Sequence, residues 1–438
     1  MEQTKTIPSL YTKKQYQMIS FALYIFATSN VVYMITQNVR AYIEMDYPNI
    51  SSIAAAQLIS FPTLFGLFAS LIVGFVALKI SKVVLLAFIR CCMLAFAILM
   101  IVGGLMHAPF WVYYIGTVLC GISLGGFGPL MNSIVGEIFE ENERAAKISM
   151  YNVFVNLGGV IMLWGSGRLA AGNDGANWPY AYILGLWCVV AITVFLIMIK
   201  KGGYSDSKEA RQKRLERRKE LGLEDENAGE KVRFKDLPRK VVGFVILIAI
   251  LHCVFYIGIN AYYLNLSNYI ITEHELGTSA EAGNCTSLTR VLLIVMQFTY
   301  PIWFKIFKDW LIPVGYLFVA IGLAAAYFID SSMFGIYCAA ACAGIATGLV
   351  HATVFAKALN FVPQAFRSIS SSVSWGVANA GPFFATYVYA LVNLTIADGI
   401  GAQLVAGIVI ACITVVASII IFVIKFPDRK AAEVRLGQ

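Results

Sequence analysis

Residues 121–159 read GISLGGFGPLMNSIVGEIFEENERAAKISMYNVFVNLGG, and residues 344–382 read GIATGLVHATVFAKALNFVPQAFRSISSSVSWGVANAGP. Each is a glycine-rich apolar run, a short break and a second apolar run. Gly121, Gly125, Arg144, Ser149, Asn156 and Gly158 map onto Gly344, Gly348, Arg367, Ser372, Asn379 and Gly381, always 223 positions on (344 − 121, 367 − 144, 381 − 158). Six matches at one offset mark an internal repeat. The chain therefore has two similar halves.

Composition sets the class of those halves. Of 438 residues, 59% are hydrophobic and only 13% charged, and the mean hydropathy is +0.74. Soluble domains carry roughly 45–50% apolar and about 25% charged residues, so this is a polytopic membrane protein. A spanning helix needs about 20 apolar residues. Such runs lie at Met18–Val39, Ala54–Leu78, Val83–Met106, Phe110–Ile134, Ile148–Leu169, Pro179–Ile199, Val241–Asn265, Thr286–Phe307, Leu311–Ile329, Phe334–Phe361, Ser370–Leu394 and Gly401–Ile424. They are continuous rather than alternating, which predicts helices and not a barrel. The expected fold is all-α, with twelve transmembrane helices in two six-helix bundles. Residues 1–200 form the first, 201–238 a basic linker, 239–426 the second and 427–438 a tail. No cleavable signal peptide is expected, because residues 1–17 are polar and the first apolar run can span.

Charge predicts the orientation. Lys13, Lys14, Lys79, Lys82, Arg144, Lys147, the Lys200–Lys240 segment, Lys305, Lys308, Lys357, Arg367, Lys425, Arg429 and Lys430 fall at one set of run ends. The other ends carry Glu44, Asp46, Asp174, Glu273, Glu275, Asp330 and Asp398. Basic residues stay on the cytoplasmic side, so both termini and the linker are expected there, in the plasma membrane. The net charge of +8 is this loop bias, and a nucleic-acid partner is not expected. The nine cysteines show neither metal-ligand spacing nor a disulfide framework. No cofactor is expected.

Two six-helix repeats joined by a basic loop resemble the major facilitator superfamily of secondary transporters. The loop after the second run carries part of that family's signature in Gly74, Lys79 and Lys82, with Leu78 in place of its acidic residue and Ser81 in place of its second glycine. Lys305-Ile306-Phe307-Lys308 echoes Lys79-Ile80-Ser81-Lys82. The resemblance implies that helices 1, 2, 4, 5, 7, 8, 10 and 11 line a central cavity and that 3, 6, 9 and 12 are peripheral. It implies gating roles for Gly74, Lys79, Lys82, Arg144 and Arg367. An arginine in helix 8 is also similar to the oxalate/formate and monocarboxylate branches, where it holds a carboxylate.

Polar residues stripe the helices assigned to the cavity. Asn30, Tyr33 and Gln37 lie on helix 1, and His252, Tyr256, Asn260 and Tyr263 on helix 7. Asn152 and Asn156 lie on helix 5, and Trp375 and Asn379 on helix 11. Spacings of three, four and seven put each set on one face. Such faces either line a cavity or hydrogen-bond across packed helices. A charge inside a span is costly and points to function. Arg290, with Gln297 seven residues on, is expected to contact substrate or snorkel outward, whereas Arg90, on a peripheral helix, is expected to be structural or to snorkel. His252 and His351 could carry a coupling proton or be neutral partners between helices. Lys357 lies near enough to the cytoplasmic end to snorkel. No Asp or Glu stands well inside a run, which disfavours a cation site. Guanidinium suits a carboxylate.

The expected function is alternating-access transport of a small organic anion, by exchange or with a proton, by a chain that works as a monomer in the lipid bilayer. Arg290, Asn30, Tyr33, His252, Tyr256, Asn260, Gln297, His351, Trp375 and Asn379 are its candidate substrate contacts. The alternatives are a carrier of neutral or drug-like solutes (sugar, nucleoside or multidrug efflux) and a non-transporting solute sensor. An enzyme is not expected, since no nucleophile–base pair or phosphate loop stands out.

Overall fold

A computed structural model describes residues 11–77, 79–139, 141–207, 209–210, 212–213, 216, 239–360, 367–397 and 399–425. Most of the expected 201–238 linker and the 427–438 tail lie outside these residues. Among the described residues the regular structure is helical. Twelve rods follow one another: α1 (Lys13–Asp46), α2 (Ser52–Val76), α3 (Lys82–Leu105), α4 (Trp111–Ile138), α5 (Glu141–Ala170), α6 (Trp178–Lys201), α7 (Arg239–Tyr263, continued by short turns to Glu273), α8 (Ser279–Phe307), α9 (Leu311–Phe328), α10 (Met333–Asn360), α11 (Arg367–Thr395) and α12 (Ile400–Lys425).

Each rod falls on an expected run, and several begin earlier in polar sequence. Hydropathy sees only the apolar part, whereas the start is set by caps. Thr12 and Gln15 form a capping box at α1. Thr278 and Glu281 do the same at α8, seven residues before the apolar run begins. The rod α1 is not uniform. It changes from α-helix to a 3₁₀ segment over Ser29–Ile35 and back. At the change, the Thr28 and Ser29 hydroxyls donate to the Ile25 and Phe26 carbonyls at 2.6 and 2.9 Å, a local competition that loosens an α-helix.

The repeated glycines sit at helix crossings. A Cβ on Gly125 of α4 would stand 2.0 Å from the Gly66 carbonyl of α2, and one on Gly158 of α5 2.0 Å from the Thr28 carbonyl of α1. The second half has similar crossings: a Cβ on Gly344 of α10, the counterpart of Gly121, would stand 2.5 Å from the Thr289 carbonyl of α8, and one on Gly381 of α11 2.6 Å from the Cys253 carbonyl of α7. Only a residue without a side chain permits these approaches. Between the halves α5 packs on α8 and α2 on α11. Large apolar side chains stay exposed on α3, α6, α9 and α12, among them Phe88, Ile197, Ile321 and Ile413, as lipid-facing peripheral helices require.

Candidate functional site

The two halves meet around one cation. Arg290 lies eleven residues into α8, about 16 Å along the rod at 1.5 Å per residue. Its stem packs on Gly159 of α5 and its Nη1 donates to Asn156 Oδ1 at 3.0 Å. Nη2 faces the Met34 sulfur of α1. Asn156 also donates from Nδ2 to Gln297 Oε1 at 3.4 Å, so one α5 side chain engages both expected α8 residues. Tyr33, Tyr256 and Tyr263 all lie within electrostatic reach of the guanidinium. Arg290 therefore points into the interface and does not snorkel outward.

Among the described residues no carboxylate pairs with Arg290. A guanidinium has five donors; here a neutral amide and a thioether meet only some. Removing a cation from water costs several kcal/mol unless it is compensated. An anion with two oxygens would supply both the charge and the missing acceptors.

Beside this cation lies an aromatic cluster of α7 and α10. The His252 ring sits 5.3 Å, centroid to centroid, from both Tyr256 and His351. Tyr256 Oη stands 3.5 Å from His351 Nδ1. His252 is fully buried and His351 half-buried. Two imidazolium ions at that separation would repel by about 3 kcal/mol at an effective dielectric of roughly 20.

The remaining candidates are placed differently. Asn30 gives its Oδ1 to Arg90, whose Nη1 and Nη2 donate at 3.4 Å. Arg90 is fully buried. It donates to the Ser29 carbonyl at 3.3 Å, and its Cζ lies 4.5 and 5.3 Å from the Phe26 and Phe127 ring centres. Of the two expected roles, structural or snorkelling, these contacts fit the structural one: Arg90 is an inward clamp on the α1 break. Aromatic faces there replace a counter-ion. Asn260 donates to the Tyr256 carbonyl at 2.6 Å, tied to its own helix. Asn379 is half-buried on α11. The side chains of Trp375 and Arg367 lie outside the described residues.

The interface is sealed towards the end away from the termini. Arg40 of α1 donates to the Leu264 carbonyl, to Asn265 Oδ1 at 3.5 Å, and to Glu44 Oε1 at 2.7 Å. Glu44 in turn accepts from Asn268 of the second half at 2.7 Å. Ser279 Oγ donates to the Gly167 carbonyl at 2.7 Å, and Gln57 of α2 reaches Tyr387 of α11 at 3.2 Å. Arg40 is 4% exposed and was not among the expected residues. Its signal is an i, i+4 arginine–glutamate pair just past an apolar run.

At the end that bears the termini, a groove of about 640 Å³ opens between α1 and α5, lined by Lys13, Gln17, Ser20, Tyr24, Glu143 and Lys147. Two ion pairs stand at this level. Lys82 of α3 meets Glu137 of α4, and Lys357 of α10 meets Asp309 at 2.7 Å. The signs are exchanged between the halves. Lys357 is bound there rather than snorkelling. Asp206 accepts from Ser81 Oγ at 2.7 Å and from the Lys82 backbone amide. A carboxylate from beyond α6 thus sits on the loop whose own acidic residue is replaced by Leu78. Gly74 borders open space and Lys79 is exposed. Arg144 donates to the Phe139 carbonyl at 3.1 Å.

The sequence profile of the Major Facilitator Superfamily matches residues 17–386. No curated protein matches the chain. Among solved structures, a POT family transporter in complex with a thioalcohol-conjugated peptide is similar at 15% identity and a TM-score of 0.71, covering 96% of each chain. A D-xylose–proton symporter is similar at 15% identity and 0.69, covering 95% of this chain and 99% of its own. The inward open xylose transporter XylE from E. coli is similar at 11% identity and 0.67, covering 96% and 99%. At these identities the likeness is one of fold.

Proposed function

The chain belongs to the Major Facilitator Superfamily, and from that premise we infer that it carries a small organic anion, with a carboxylate held by Arg290. As a member it is a multi-pass membrane transporter of a small solute rather than an enzyme. The observation that carries the substrate class is the Arg290 guanidinium between the halves, held by Asn156 and Met34 and paired with no carboxylate among the described residues. Tyr33 and Tyr256 flank it with phenol rings that suit the organic body of such a solute.

The same geometry supports alternating access. Arg290 and Gln297 on one half and Asn156 on the other form the level about which the halves rock. The Arg40–Glu44–Asn268 contacts tie the halves together at one end. The basic residues at the terminal end suit the cytoplasmic face of the plasma membrane, which makes the tied end the outer one, and the anion moves by exchange or together with a proton. The carrier works as a monomer.

Thermal unfolding of the purified protein against lactate, succinate, oxalate and benzoate, with glucose and uridine as uncharged controls, tests the substrate class. A ligand that binds only the folded state raises the midpoint. A rise with at least one carboxylate and with neither control supports the reading. A rise only with uncharged solutes refutes it.

A further inference from the structure

We propose that His252, His351 and Tyr256 form a single-proton site, separate from Arg290, through which proton movement is tied to anion binding. The second half of this statement rests on the anion reading above; the first does not. The three rings are in mutual contact, with 5.3 Å between the imidazole centres and 3.5 Å between Tyr256 Oη and His351 Nδ1. At that spacing a proton on one imidazole repels a proton on the other, so the pair holds at most one. His351 is half-buried and His252 is fully buried.

The surroundings make that proton sensitive to the anion. Among the described residues, the groups placed against the pair are Phe255 and Tyr256 on α7 and, past Tyr256, Tyr263 and the α8 guanidinium of Arg290. Tyr33 faces the same space from α1. Lys357, six residues along α10, is held by Asp309, and α11 meets α7 at this level with Gly381. These groups are neutral or cationic. A proton on the pair therefore adds positive charge next to Arg290, and an anion on Arg290 removes that penalty. Each ligand then strengthens the other by the same factor. Tyr256 is the positioning residue between them, because its hydroxyl lies 3.5 Å from His351 and within electrostatic reach of Arg290. Uptake forms one N–H bond on an imidazole with a proton from water, and release breaks that bond on the opposite side.

Two measurements test the proposal. In proteoliposomes holding a pH-sensitive dye, net uptake of radiolabelled lactate, succinate, oxalate or benzoate down its own gradient gives protons moved per anion. The ratio is expected near one for the wild type and at least tenfold lower in His351→Asn, His252→Asn and Tyr256→Phe. An unchanged ratio in His351→Asn overturns the proposal. Ring-labelled histidine NMR of the full chain in detergent needs no substrate, and single-site variants assign the signals. His252 and His351 sharing one protonation supports the single-proton site even if no anion is carried. Two independent, full titrations of those residues overturn it.

Discussion

Asn156 of α5 accepts a hydrogen bond from Arg290 of α8 at 3.0 Å, and through this bond each half holds the other's most informative residue. Asn156→Asp places a carboxylate at that distance. The resulting ion pair would occupy the guanidinium and tie the halves together. The expected outcome is an anion affinity at least tenfold weaker, with a higher unfolding midpoint; equilibrium binding and thermal unfolding of the same sample check both signs.

Arg40 links α1 to the Leu264 carbonyl and Glu44 to Asn268. Hydrogen bonds to charged groups contribute roughly 1.5–3 kcal/mol each. Arg40→Met should therefore shift the two-state population towards an opened far end by at least about tenfold. Spin-label distances between the far ends of α1 and α7 should lengthen. An unchanged distance distribution would remove Arg40 from the gate.

Gly158 and Gly74 make a contrasting pair. A Cβ at Gly158 meets the Thr28 carbonyl at 2.0 Å, whereas one at Gly74 meets nothing within 4 Å. Gly158→Ala should destabilise by about 1–3 kcal/mol through overpacking. Gly74→Ala should be neutral or stabilise by roughly 0.5–1 kcal/mol through helix propensity. Unfolding in detergent reads both.

Lys357 is 1% exposed and its partner Asp309 20% exposed. Lys357→Met removes the buried cation of that pair and should cost about 2–3 kcal/mol. This is less than the roughly 3–5 kcal/mol of a fully buried pair, because Asp309 keeps contact with water. Adding Asp309→Leu should restore most of the loss, since apolar replacement of both partners of a buried pair is close to neutral.

The repeat made the helix crossings legible. Gly121 and Gly158 recur as Gly344 and Gly381 because close approaches to a neighbouring helix's backbone occur in both halves. Arg290 was legible because a full charge inside an apolar run needs a reason. Arg40 was not, because a charge at a run's end reads as loop polarity until the opposite half is seen to receive it. Asp206 was hidden for another reason: its partner Ser81 lies 125 residues earlier, and no local pattern joins them. The aim of Arg90 was equally invisible, since the Phe26 and Phe127 faces that hold it are apolar in any one-dimensional reading.

The central claim is that Arg290 holds the substrate's negative charge between the halves. Its most direct test is radiolabelled carboxylate exchange by wild type and Arg290→Ala in proteoliposomes, over lactate, succinate, oxalate and benzoate, with both proteins folded by size-exclusion chromatography. The account predicts exchange of at least one of these by the wild type and a loss of at least about 100-fold in the variant, the ~2.7 kcal/mol of one charged bidentate contact. Exchange by Arg290→Ala at the wild-type rate would contradict it.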